Sequence, residues 1–136
     1  MNQAVEERQF VEAVARRTEL SWLPALRITH AVLRSLAERL TDQEASAVAT
    51  ALAPPLADAL VGGAHAERFD LHELVLRVQV RTGASRELAL TYIAVVLMTL
   101  GEAVAEVTLA PLRRSLPPAI AFLLRPPPRS TTLGAA

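Results

Sequence analysis

The sequence predicts an all-α fold, with two tandem pseudo-symmetric four-helix repeats around one core. Three observations predict it. Alanine (25) and leucine (22) supply over a third of the 136 residues, while aromatics contribute only 4%. Ala, Leu, Arg and Glu lose little conformational entropy in a helix. Apolar residues recur at three- and four-residue spacings, the period of a helix with one buried face. Finally, sliding the chain by 64 residues aligns Phe10–Val61 with Leu74–Arg125 without a gap, and 15 of those 52 pairs are identical. Chance would give roughly a tenth, so the period reads as a duplication. The identities at Arg17/Arg81, Thr18/Thr82, Ser21/Ser85, Glu38/Glu102 and Pro54/Pro118 weigh most. A coincidence between two Ala/Leu-rich stretches does not require them.

In repeat one, a first helix is expected over roughly residues 3–18, with Phe10, Val11 and Val14 inward. Ser21 reads as an N-cap whose hydroxyl accepts from an orphan backbone N–H. The second helix runs to about Leu40, with Ala25, Thr29, Val32, Leu33, Leu36 and Leu40 on one stripe. Thr41-Asp42-Gln43-Glu44 is a capping box opening a third helix through Val48 to Leu52. Pro54-Pro55 is expected to stop it, leaving a single turn at Leu56–Leu60 before a Gly62-Gly63 hinge.

Repeat two restarts at the capping-box pattern Asp70-Leu71-His72-Glu73 and runs to about Thr82, with Gly83 as C-cap and Ser85 as the next N-cap. A long helix spans about 86–104. Ala105-Glu106-Val107-Thr108 replaces the first copy's capping box, and Pro111 places the next helix start near Thr108. Pro117-Pro118 precedes a last apolar turn, Ile120–Leu124. The domain plan is one helical domain over 1–124, comprising repeat one 8–61, linker 62–68 and repeat two 69–124. Residues 125–136 form a Pro-rich tail read as disordered.

The aligned residues carry a family pattern. It runs Phe10-x-x-x-Val14, then Ala25 through Ala31-Val32-Leu33-x-x-Leu36-x-x-Arg39-Leu40, Glu44-Ala45 and Leu52-x-Pro54. The second copy carries Glu67-Arg68-Phe69-Asp70-Leu71-x-Glu73-Leu74, Ala89, Val96-Leu97-x-x-Leu100 and Leu116-Pro117. Over roughly residues 8–124 the chain resembles the bacterial family called domain of unknown function 2267. The resemblance implies a compact all-helical fold and no particular activity. The sequence departs from the pattern at Ala105–Thr108, where a Gly-Glu turn is usual.

Composition narrows the chemistry. The absence of cysteine excludes disulfides and thiolate metal sites. Charge is balanced, 14 basic against 14 acidic residues, and spread as −2 over 1–61, 0 over 62–124 and +2 over 125–136. That is no nucleic-acid footprint. Residues 1–7 hold neither a basic nor an apolar signal-peptide region. The longest uncharged run, Leu88–Gly101, is too short to span a membrane. A soluble cytoplasmic protein without nucleic acid or membrane partners is expected. His65, Asp70, His72 and Glu73 could in principle gather around a divalent metal, but their spacing is not that of a helical ligand pair. Asp70 and Glu73 already have capping roles, so no metal or cofactor is expected. No Gly-x-Ser-x-Gly elbow or phosphate loop is present, and no catalytic residue is assigned. Arg16-Arg17 and Arg81 read as cations compensating helix dipoles.

The repeats differ in one instructive way. Arg27, His30 and Arg34 form a polar face on the second helix, but their counterparts are Thr91, Ala94 and Met98, and Asp58-Ala59 become Phe122-Leu123. A helix apolar on every side needs covering on every side. Either repeat one covers it, or Met98, Ile120, Phe122 and Leu123 form an apolar patch that pairs subunits or binds a protein. The leading expectation is a non-enzymatic protein-protein interaction or scaffold module, with a homodimer or adaptor surface at that patch. The alternative is a small-molecule or metal-responsive binding protein using an interhelical pocket.

Overall fold

Among the described residues, three of the eight helices open on a side-chain cap, from Thr41, Asp70 and Ser85. The computed structural model describes residues 5–125. Among them are eight α-helices and no strand beyond an isolated bridge between Val5 and Leu52. The Pro-rich segment from 126 onward lies outside the described residues.

Helix α1 is Glu7–Thr18. It starts later than expected because Val5 is extended, its N–H donating to the Ala51 carbonyl and its own carbonyl accepting from Ala53 N–H. The helix ends at Glu19, left-handed at φ 59°. The equivalent residue Gly83, also left-handed at φ 74°, ends α5 as expected. Glycine carries no Cβ penalty in that conformation, whereas glutamate does. Helix α2, Trp22–Ala37, opens at Ser21 without any side-chain cap. The third residue is Pro24, which has no N–H to donate. Its counterpart Ser85 opens α6, Arg86–Ala103, and accepts from Leu88 N–H at 3.2 Å. One proline therefore removes the expected cap from the first copy.

Helix α3, Asp42–Ala49, carries the complete capping box: Thr41 Oγ1 accepts from Glu44 N–H at 3.1 Å, and Glu44 Oε1 accepts from Thr41 N–H at 3.0 Å. Pro54 does not merely stop α3; it begins the two-turn helix α4, Pro54–Val61. Proline's fixed φ suits a first helical position. Helix α5 is Leu71–Thr82, capped by Asp70 on Glu73 N–H at 3.1 Å. The reciprocal half of that box is missing because the Glu73 carboxylate turns to Arg77 instead. Helix α7, Glu106–Ser115, contains Pro111 rather than beginning just before it. Pro111 is exposed on its outer side, where water can satisfy the freed carbonyl of Val107. Helix α8 is Pro118–Leu123.

The long helices α2 and α6 form the middle of the fold. Each packs on the other and on both α1 and α5; α4 closes over α2, α8 over α6, and α3 meets α7. The expected stripe Ala25, Thr29, Val32, Leu33, Leu36 and Leu40 is buried throughout, as are Phe10, Val11 and Val14. On α6, Ala89, Ile93, Val96, Leu97 and Leu100 are fully buried in the same core. Each large side chain withdrawn from water contributes about 1.5–3 kcal/mol before entropy is subtracted. Residues 62–70 are docked rather than free, with Ala66 N–H donating to Leu40 O and Glu67 N–H to Glu38 O. Helix α8 approaches α6 so closely that a Cβ on Gly101 would lie 1.9 Å from the Leu124 carbonyl oxygen.

Candidate functional site

Two arginines join the halves of the chain reciprocally. Arg17 on α1 donates to Thr99 Oγ1 and to Glu102 on α6, both at 2.8 Å. Arg81 on α5 donates to Ser35 Oγ at 2.9 Å and to Glu38 Oε2 at 2.7 Å, beside α2. Every residue of the second set lies 64 positions from its counterpart in the first. The hydroxyls are anchored alike: Ser35 donates to Ala31 O and Thr99 to Val95 O, each at 2.8 Å. These arginines span helices, which corrects their assignment to helix dipoles alone. Sequence inspection considered Arg17/Arg81 and Glu38/Glu102 separately; pairing the two charged identities across copies was the available signal.

Around Arg81 the second half adds more charge. Arg77 donates to Glu67 at 2.8 Å and to Glu73 and Glu38 at 3.0 Å each. Its guanidinium also stacks 4.1 Å from the centre of the Phe69 ring. The hydrogen bond from Arg81, then that from Arg77, holds the Glu38 carboxyl below its ordinary range despite opposing burial. The Arg77 hydrogen bond lowers Glu67 likewise, and bonds to Glu67, Glu73 and Glu38 raise Arg77. Both shifted carboxylates are thereby fixed in the charged form. That suits a clasp between α5, the docked linker and α2, and it suits proton transfer poorly.

Beside this network, the outer face of α5 exposes Leu76 and Val80, the latter 86% accessible. They border a cleft of about 400 Å³ whose other walls include Glu38, Glu67, Arg77 and Arg81. In the first half the same positions are Glu12 and Arg16, equally outward. Val107 and Phe122 are exposed at 81% and 63%, and their counterparts are Gln43 and Asp58, also exposed.

The sequence-expected patch is only partly at the surface. Phe122 is exposed, with the Arg125 guanidinium 5.3 Å from its ring centre. Met98 and Leu123 are half-buried, and Ile120 is fully buried. Ile120 therefore belongs to the core, because α8 folds its inner face onto the middle of the domain. The outward apolar positions that sequence reading missed are Leu76 and Val80; comparing outer as well as inner positions of the two copies would have found them. His30, expected in solvent, lies half-buried with Nε2 3.0 Å from a Glu7 carboxylate oxygen. His65 and His72 are exposed, and Asp70 and Glu73 are engaged as described. Among the described residues no cluster of three or more His, Asp or Glu could hold a metal ion.

A second groove opens where α2 and α6 begin. Leu20, Pro24, Ile28, Ala84, Leu88 and Tyr92 line about 460 Å³ together with Arg27, Arg81 and Thr82. Leu20/Ala84, Pro24/Leu88 and Ile28/Tyr92 are pairs 64 residues apart, so the groove is lined by corresponding positions of the two halves.

Among the described residues no single helix is long and apolar enough to cross a membrane; α5 and α6 pass that test only jointly and bend by 102° between them. No curated protein and no solved structure matches the chain. A family model described as uncharacterized conserved protein (DUF2267) matches residues 7–123, and the chain belongs to that family.

Proposed function

We propose that this chain is a non-enzymatic protein-interaction or scaffold module of a bacterial cytoplasm. On this reading it is two four-helix repeats fused by duplication, and it self-associates through the outer face of α5. One observation carries the proposal. Leu76 and Val80 stand in water at positions where the other copy has Glu12 and Arg16. The parts of Leu76 and Val80 left in water, 41% and 86%, gain hydrophobic energy only when something covers them. The surrounding charges support the same reading. Glu38, Glu67 and Glu73 each already accept a hydrogen bond from Arg77, and Glu38 accepts another from Arg81, so each carboxylate keeps a donor under a covering surface. With α5 antiparallel to its copy, Leu76 meets the partner subunit's Val80 in a self-complementary contact.

The test is sedimentation over a concentration series. The wild-type chain is expected to dimerise, and the double variant Leu76→Glu/Val80→Arg, which restores the first copy's residue types, to remain monomeric with unchanged helicity. A wild-type chain that stays monomeric at the highest concentration overturns the proposal, as does a double variant that still dimerises. Phe122→Asp, which copies Asp58, is expected to leave the dimer intact, separating the α5 ridge from the α8 surface.

A further inference from the structure

We infer that the groove between the starts of α2 and α6 binds an apolar monocarboxylate, a fatty-acid-like ligand with its head at Arg27. This goes beyond the α5 ridge and does not depend on it; it gives the small-molecule expectation a place and a chemistry. The groove's apolar lining comes from Leu20, Pro24, Ile28, Ala84 and Leu88, with Tyr92 beside them. Its volume of about 460 Å³ falls within the range of small-molecule clefts. Its charged lining consists of Arg27 and Arg81, with no carboxylate.

The two cations are not equivalent. Arg81 is neutralised by Glu38 and held by Ser35. Arg27 forms no ion pair among the described residues. The groove therefore offers one uncompensated guanidinium, whose single charge matches that of one carboxylate held by paired N–H donation. The asymmetry is specific to one side. The counterpart of Arg27 is Thr91, so the matching apolar pairs run on both flanks while the uncompensated charge sits on α2 only. A ligand with one charged end and one apolar body complements that arrangement, because each buried methylene adds about 0.8 kcal/mol while the carboxylate fixes direction.

The probe is decanoate, below its micellar concentration, titrated into the full chain and followed by backbone amide NMR. Saturable shifts are expected at Ile28, Ala84, Leu88 and Tyr92, with decan-1-ol binding about tenfold more weakly and decylamine not at all. Arg27→Gln is expected to erase the preference for decanoate over decan-1-ol while leaving the spectrum otherwise folded. Leu88→Glu, at a half-exposed position, is expected to abolish both. No saturable shift in the groove, equal binding of decylamine, or an unchanged preference in Arg27→Gln overturns the inference. The Leu76→Glu/Val80→Arg variant is expected to bind decanoate as the wild type does, so failure of the dimer and failure of this site are separately visible.

Discussion

Near the end of each long helix the two halves of the chain solve the same contact differently. The first places Ala37 there, fully buried, with Gly63 close to its methyl. The second places Gly101, and the Leu124 carbonyl occupies the space a methyl would need. A few residues away, Glu38 receives both Arg77 and Arg81, whereas its counterpart Glu102 receives Arg17 alone. At the helix starts, Ser85 caps α6 while Ser21 leaves α2 uncapped. The comparison teaches that positions 64 residues apart, even with identical side chains, need not carry equivalent energy. Each copy meets different neighbours, and one residue three places away can disable a cap.

The largest expected effect breaks the comparison at Gly101. Gly101→Ala forces α8 off α6 and is expected to cost about 3 kcal/mol, the upper part of the usual overpacking range. Gly63→Ala meets only ordinary contact at 3.5 Å from the Ala37 methyl and is expected to change stability by less than about 1 kcal/mol. Urea denaturation of both variants checks this, and equal losses would refute the close approach.

Next comes the carboxylate pair. Glu38→Gln is expected to cost about 1–2 kcal/mol and Glu102→Gln about half of that, since fewer charge-assisted bonds are lost at partly exposed sites. The sign of the pH dependence follows from the lowered Glu38 value. A carboxyl with a depressed folded pKa contributes stability that is present above its unfolded value and is lost as pH falls through the folded one. Stability should therefore decline with acid below about pH 4.5, the ordinary glutamate value, and decline less steeply in Glu38→Gln. Denaturation midpoints measured from pH 7 to pH 3 decide it; parallel curves for variant and wild type would count against the clasp.

The smallest effect sharpens the comparison at the caps. Ser85→Ala removes a real hydrogen bond and should cost about 1 kcal/mol, while Ser21→Ala should be nearly silent. Thermal unfolding monitored by circular dichroism distinguishes them.

Much of this was legible before folding was considered. The capping box at Thr41, the left-handed Gly83, the buried stripes of α1 and α2 and the family pattern all depend on residues within a few positions of one another. Errors arose where a distant segment intervened. Val5 shortened α1 by bridging to residues 51–53, and Arg77 drew Glu73 out of its capping box. Whether Ile120 is covered or belongs to an exposed patch stays open in the sequence, because hydrophobicity gives no direction to a turn that has no second face to compare; the fold buries it. Leu76 and Val80 are not distinguishable by periodicity alone, because Leu74, Val75 and Val78 on the same short helix supply its buried face and only the packing of α5 shows which side is left in water.

By itself the sequence determined the helical class, most helix boundaries and the 64-residue correspondence, because periodicity and capping act through local backbone geometry. Only the tertiary structure decided which apolar residues remain in water, which arginines clasp the opposite half and which leaves Arg27 without an ion partner among the described residues. Those outcomes depend on distances between segments far apart in the chain, and no local pattern encodes them.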